Sequence, residues 1–238
     1  MEDEIFINDA EISKKDLEFK VLRASVKIEI GPSKFGSGFF IKFKKNNNKK
    51  FYCLMTNQHV IKPEMIEKKQ KIKILYDNEE KSLIFKLDQE DRFIKYFMDS
   101  LQIDLTAIQI LEKDNIEDKY FLEPYDNYKK GCQFKGKTIS VVQYPLGGKL
   151  SMSTGIIKRN NDITIIHTAS TLRGSSGGPI VLKEDDKVLG IHRGGNEHKQ
   201  QNYGLFIGPV IDDKKNLKEM DLEMIFTKME ISNIWEIL

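Results

Sequence analysis

Hydrophobic and polar residues alternate over residues 22–30, where Leu22, Ala24, Val26, Ile28 and Ile30 fall on one side of an extended chain. A period of two marks a half-buried β-strand. Comparable runs recur at 38–43, 51–56, 71–76, 82–87, 105–111, 138–143, 153–158, 163–168, 179–182, 187–192 and 203–207. Glycine, asparagine and lysine-rich breaks separate them, and no long helical pattern interrupts the series. Many short strands at this spacing predict an all-β chain, folded as a sandwich or as barrels. Helix is expected only near the ends. A short one is predicted over 11–20, and another over 215–229, where Leu217, Met220, Met224, Ile225 and Met229 follow helical spacing behind Asp212 and Asp213.

The polar, turn-rich stretch 112–135 divides the strands into two groups. The chain is therefore read as an N-terminal extension (1–20), a first β unit (21–125), a second β unit (126–213) and a helical tail (214–238). The basic run Lys42–Lys50 reads as a solvated hairpin tip.

Composition narrows the partners. The 238 residues suffice for one large β domain or two small barrels sharing a cleft, and 39% hydrophobic with 31% charged residues suits a globular protein. With 38 basic and 36 acidic residues the net charge is +2, which gives no reason to expect nucleic acid or an anionic membrane as a partner. No run approaches the roughly 18 apolar residues of a membrane span. The opening Met1-Glu2-Asp3-Glu4 lacks the basic and apolar regions of a signal peptide. Two cysteines, Cys53 and Cys132, read as thiols and fit a reducing, cytoplasmic setting. No Cys/His pairs stand at ligand spacing, so neither a metal nor another cofactor is expected.

The sharpest chemical signal is Arg173-Gly174-Ser175-Ser176-Gly177-Gly178-Pro179. Acyl transfer needs a hydroxyl nucleophile beside backbone N–H groups aimed at a developing oxyanion. Glycine two residues before Ser176 lets the chain turn, and the glycines after it let the backbone leave without a clashing Cβ. Gly174-x-Ser176-x-Gly178 also fits a nucleophile elbow, but that arrangement needs a helix next, with the acid and then the histidine after the serine. Here Pro179-Ile180-Val181-Leu182 continues as a strand, and His192 and His198 follow within 22 residues. The alternative order, base then acid then nucleophile, finds His59 at the end of the apolar run Leu54–Thr56 and Asp104 at the start of Leu105–Ile108. A carboxylate there would hold the imidazole tautomer and stabilise its charged form.

Together, Gly36-Ser37-Gly38-Phe39, Leu54–Val60, Asp104–Ile108, Gln143-Tyr144-Pro145, Gly174–Pro179 and Leu189–Gly195 resemble the trypsin-like peptidase superfamily. The likeness is strongest to its disulfide-free branch of glutamyl endopeptidases, high-temperature-requirement proteases and viral processing proteases. That resemblance implies two antiparallel six-stranded β-barrels with the active site between them, His59 and Asp104 on the first and Ser176 on the second. It implies a serine endopeptidase acting on proteins or peptides, with the N–H groups of Gly174 and Ser176 as the oxyanion hole. Ser175 stands where the digestive branch has the aspartate that pairs with a new N-terminal amine, so activation by that salt bridge is not expected. Thr171 and His192 match the placement that glutamyl endopeptidases and picornavirus-type proteases use for a P1 glutamate or glutamine. A hydroxyl and an imidazole can satisfy a buried carboxylate or amide. Ser170, about where trypsin-like enzymes carry a pocket aspartate, argues against Arg or Lys at P1. Gly194 and Gly195 would let substrate backbone lie alongside as an added strand. The rival class is a catalytically silent or latent trypsin-like domain used for binding; dead versions usually lose a triad residue, and none is missing here.

Overall fold

The structure, a computed structural model, describes residues 19–44, 50–97, 103–125, 133–161, 163–184, 187–196 and 201–207. The expected helical tail, the basic hairpin tip at 45–49, Cys132 and His198 lie outside them.

The first half opens with helix α1 (Phe19–Ala24), then β1 (Ser25–Gly31), β2 (Lys34–Lys44) and β3 (Lys50–Thr56). A short helix α2 (Pro63–Glu67) precedes β4 (Lys71–Tyr76), β5 (Lys81–Lys86), β6 (Ile94–Phe97) and β7 (Leu105–Gln109). The first strand thus begins later than alternation predicts, because residues 22–24 are helical. Val21 and Ala24, three apart, are buried together, and Ser25 Oγ donates back to the Val21 carbonyl (2.8 Å), closing the turn. Two elements were not anticipated. In α2, Pro63 starts a single helical turn too short to show periodicity. In β6, four residues pair antiparallel with β7, Ile94 opposite Ile108.

The second half comprises β8 (Thr138–Gln143), β9 (Ser151–Asn160), β10 (Thr164–His167), β11 (Pro179–Leu182), β12 (Val188–Asn196) and β13 (Gln201–Phe206). They close into a barrel of order β10-β13-β12-β11-β8-β9, as expected. The first half is a seven-stranded half-barrel sheet, β5-β4-β1-β2-β3-β7-β6, in place of a six-stranded barrel. The all-β architecture otherwise follows the alternation.

Three apolar clusters hold the two halves. Val26, Ile28, Phe40, Leu54, Ile74 and Ile108 centre the first, and Ile139, Val141, Ile165, Ile180, Leu189 and Phe206 the barrel. The third lies between them, with Phe39, Ile41, Cys53 and Met55 against Val142, Val181, Ile191 and Leu205. Successive residues of a strand face opposite ways, so β2 sends Phe40 into its own sheet and Phe39 and Ile41 into the junction. The connector is stitched to both halves: Leu122 N–H donates to the Phe40 carbonyl (3.0 Å), and Tyr125 N–H to that of Val188 (2.8 Å). Cys53 is a buried free thiol, its pKa pushed up by burial alone.

Candidate active site

Register places the first two residues. Met55 pairs with Ala107 and Thr56 with Thr106 on antiparallel β3 and β7, so the chain just past Thr56 meets the chain just before Leu105. Asn57 Nδ2 donates to the Asp104 carbonyl (2.8 Å), and the turn that follows closes through Val60 and Ile61 N–H to the Asn57 carbonyl, each 3.2 Å. Within that turn His59 reaches Asp104 twice. Its backbone N–H donates to Oδ1 at 2.9 Å, and its ring Nδ1 lies 2.6 Å from Oδ2. An ionised carboxylate only accepts, so Nδ1 carries the proton and Nε2 is left as the basic nitrogen. Burial would raise the Asp104 pKa. The ring and backbone hydrogen bonds from His59, its charge and that of Arg193 outweigh this and hold it below the ordinary carboxylate value. The His59 side chain is 44% exposed and that of Asp104 13%, so the imidazole faces solvent while its partner is sheltered.

Ser176 sits on the tight loop before β11. Gly174 (φ +93°) and Gly177 (φ +92°) both need the left-handed region. A Cβ on Gly174 would lie 2.7 Å from the Phe35 ring, and one on Gly177 would run into the Ser37 carbonyl. Ser37, on β2, holds the loop from the other half of the molecule. Its N–H donates to the Ser176 carbonyl (2.9 Å), and its hydroxyl donates to the Gly174 carbonyl (2.8 Å) while accepting the Tyr144 N–H (2.9 Å). Thr56 Oγ1 donates to the Ser37 carbonyl at 2.7 Å. Leu146 N–H donates to the Arg173 carbonyl at 2.6 Å. A trans peptide points its C=O and N–H opposite ways, so this bond turns the Gly174 N–H away from Leu146. That N–H makes no hydrogen bond among the described residues.

Arg193 links the halves of the site. Ser176 Oγ donates to its carbonyl (3.2 Å), and its Nε lies 3.7 Å from Asp104 Oδ2. Arg193 thus touches both Ser176 and Asp104, residues from distant parts of the chain, and His59 joins the group through Asp104. Ser175 carries no charge to the loop; its buried hydroxyl accepts the Leu172 N–H at 3.1 Å and closes a local turn.

Thr171 and His192 flank the same loop, both buried. His192 is fixed by its N–H to the Gly178 carbonyl (2.8 Å) and its carbonyl to the Gly177 N–H (2.9 Å). Its ring meets His167, with Nδ1 3.3 Å from His167 Nε2 and the rings edge to face. The Thr171 hydroxyl and His167 Nδ1 have no hydrogen-bond partner among the described residues. Burial, and then the charge of His192, drive the His167 pKa well below the ordinary histidine value. His167 had no role in the sequence; only the β10–β13–β12 ladder brings it to His192. Gly194 and Gly195 pair with Tyr203 and Asn202 on β13, while β11 pairs with β12 only as far as Ile191. A Cβ at Gly194 would meet nothing within 4 Å.

A closed barrel and a half-barrel sheet, joined at a glycine-lined serine loop, define a chymotrypsin-like serine endopeptidase. Residues 36–191 match the trypsin-like peptidase domain, and the chain belongs to that family. No curated relative matches the sequence. Among solved structures it resembles the inactive form of a serine-to-alanine mutant of Rv3671c from M. tuberculosis H37Rv: 18% identity, TM-score 0.58, covering 85% of this chain and 90% of that one. A second structure of the Rv3671c protease, also the inactive form, has 17% identity, TM-score 0.56 and coverage of 82% and 89%. The serine endoprotease of Yersinia pestis has 18% identity, TM-score 0.57 and coverage of 85% and 66%. At these identities the likeness is one of fold.

Proposed function

We propose that the enzyme cleaves peptide bonds with Ser176 as nucleophile, His59 as general base and acid, and Asp104 as the group that orients and charge-stabilises His59. The carrying observation is the 2.6 Å hydrogen bond between His59 Nδ1 and Asp104 Oδ2, which leaves Nε2 as the nitrogen able to take the serine proton. Ser176 Oγ attacks the substrate carbonyl as His59 accepts its proton. The carbonyl oxygen, now anionic, rests on the N–H groups of Gly174 and Ser176; the orientation that Leu146 imposes on the Gly174 peptide supports the part given to Gly174. His59 then gives the proton to the leaving amine, and water, activated the same way, releases the acyl group.

The substrate is a protein or peptide, and we assign glutamate or glutamine to P1. The buried, unpartnered Thr171 hydroxyl supports this, as does the His192 imidazole fixed beside the nucleophile loop. Ser170 supplies no carboxylate for a basic side chain, and its carbonyl is engaged by Gln143 Nε2 (2.9 Å) and Ser153 Oγ (2.6 Å). Residues 194–195 pair with β13 and have no β11 partner among the described residues, an arrangement that suits a substrate lying as an added strand. A peptide-library digest tests both parts. Cleavage after Glu or Gln, absent in Ser176→Ala, is expected; cleavage after Lys or Arg would contradict the pocket, and undiminished cleavage by Ser176→Ala the nucleophile.

A further inference from the structure

Arg193 has no part in the reaction described above, yet it touches two of the three proposed catalytic residues. Its placement has a cause in the sheet. His192 pairs with Gly204 and Gly194 with Tyr203, so two steps along β12 match one along β13. Arg193 is the extra residue of a β-bulge, which breaks the alternation of the strand and re-aims carbonyl and side chain. The carbonyl receives the Ser176 hydroxyl, and the guanidinium turns toward Asp104 Oδ2, the oxygen already engaged by the His59 ring.

We propose that Arg193 is a positioning residue that shares the Asp104 carboxylate with His59 and thereby sets the pH at which His59 becomes available as a base. This rests on the catalytic roles given above. A permanent positive charge near the same carboxylate oxygen competes with an imidazolium for its negative charge. It disfavours protonated His59 and keeps the base free at lower pH. Among the described residues, the charged and titratable groups facing Asp104 are His59, from the turn after β3, and Arg193, from the β12 bulge. The residues that β2, β3 and β7 bring against the site, Ser37, Thr56, Asn57 and Thr106, are uncharged. The arginine side chain is 36% exposed, so solvent and salt moderate the effect without removing it.

The test is the pH profile of kcat/KM for the full chain, in the wild type and in Arg193→Gln, Arg193→Met and Arg193→Lys. Methionine keeps much of the aliphatic stem and serves if glutamine disturbs folding. Both neutral variants should move the acid limb to higher pH by roughly half a unit or more, while Arg193→Lys, which keeps the charge, should return it toward the wild-type position. A neutral variant that folds and reacts with a fluorophosphonate, but whose acid limb coincides with that of the wild type, overturns the proposal. So does a shift of equal size in Arg193→Lys, which would trace the effect to side-chain shape. Failure of the wild type itself to react at Ser176 would instead overturn the catalytic assignment, so the two are told apart.

Discussion

Ser37 and Gly174, 137 residues apart in the chain, are joined by a 2.8 Å hydrogen bond from the serine hydroxyl to the glycine carbonyl. That bond, with Ser37 N–H to the Ser176 carbonyl, ties the proposed oxyanion peptides to a strand of the opposite half. Replacing Ser37 by alanine strands a buried donor, Tyr144 N–H, and a buried acceptor, the Gly174 carbonyl. We expect kcat to fall about ten- to a hundredfold with KM little changed, because the donors act on the transition state. Stability should drop by roughly 1–3 kcal/mol for the unpaired groups. Steady-state kinetics alongside thermal unfolding separates the two effects.

Asp104→Asn should be far more damaging to turnover than to folding. The amide can donate to Nδ1, which favours the tautomer with its proton on Nε2 and removes the base. A loss of roughly 10³- to 10⁴-fold in kcat is expected. In the wild type the Asp104 pKa lies below the ordinary value of 3.8, so the carboxylate stays ionised as pH falls until that depressed pKa is reached. Protonation of Asp104 should therefore not contribute to any loss of activity seen above about pH 4 in the kcat/KM profile.

The buried His167 predicts a specific pH dependence of stability. Its folded-state pKa is far below the ordinary histidine value of 6.5, so the folded protein leaves it neutral while the unfolded chain takes up a proton. Its contribution is complete above pH 6.5 and declines as pH falls below it, with a slope approaching about 1.4 kcal/mol per pH unit. His167→Gln can still meet His192 but cannot be protonated. Denaturant unfolding across pH 5–8 should show a slope shallower by one proton in this variant; an unchanged slope would contradict the assignment.

What could be read from the chain, and what could not, follows from the range of the interactions. Alternation located most strands because each buries one face locally. The Gly174–Pro179 segment, His59 and Asp104 could be proposed from the sequence because acyl transfer demands those residue types in order, and the 2.6 Å bond between His59 and Asp104 agrees with that proposal. Ser37 could be seen as part of a glycine-flanked motif, but its hydroxyl partners, Gly174 and Tyr144, come from beyond residue 140. The Arg193 bulge is invisible to a period-two pattern, since it exists only in register with β13. His167 and His192 meet by barrel closure, and neither sits in a pattern that foretells it. The start of β1 was misread because Leu22 and Ala24 fit a strand, while Val21 and Ala24 also fit the helical spacing that forms; the helix expected over 11–20 falls almost wholly outside the described residues.

The most direct measurement is covalent capture of the nucleophile. The folded protein would be treated with a fluorophosphonate at pH 8, digested and mapped by mass spectrometry. A single adduct on Ser176, formed faster as pH rises through the acid limb and abolished in both Ser176→Ala and His59→Ala, is the predicted result. An unmodified Ser176 in a folded sample, or an adduct that survives removal of His59 at full rate, would contradict the account.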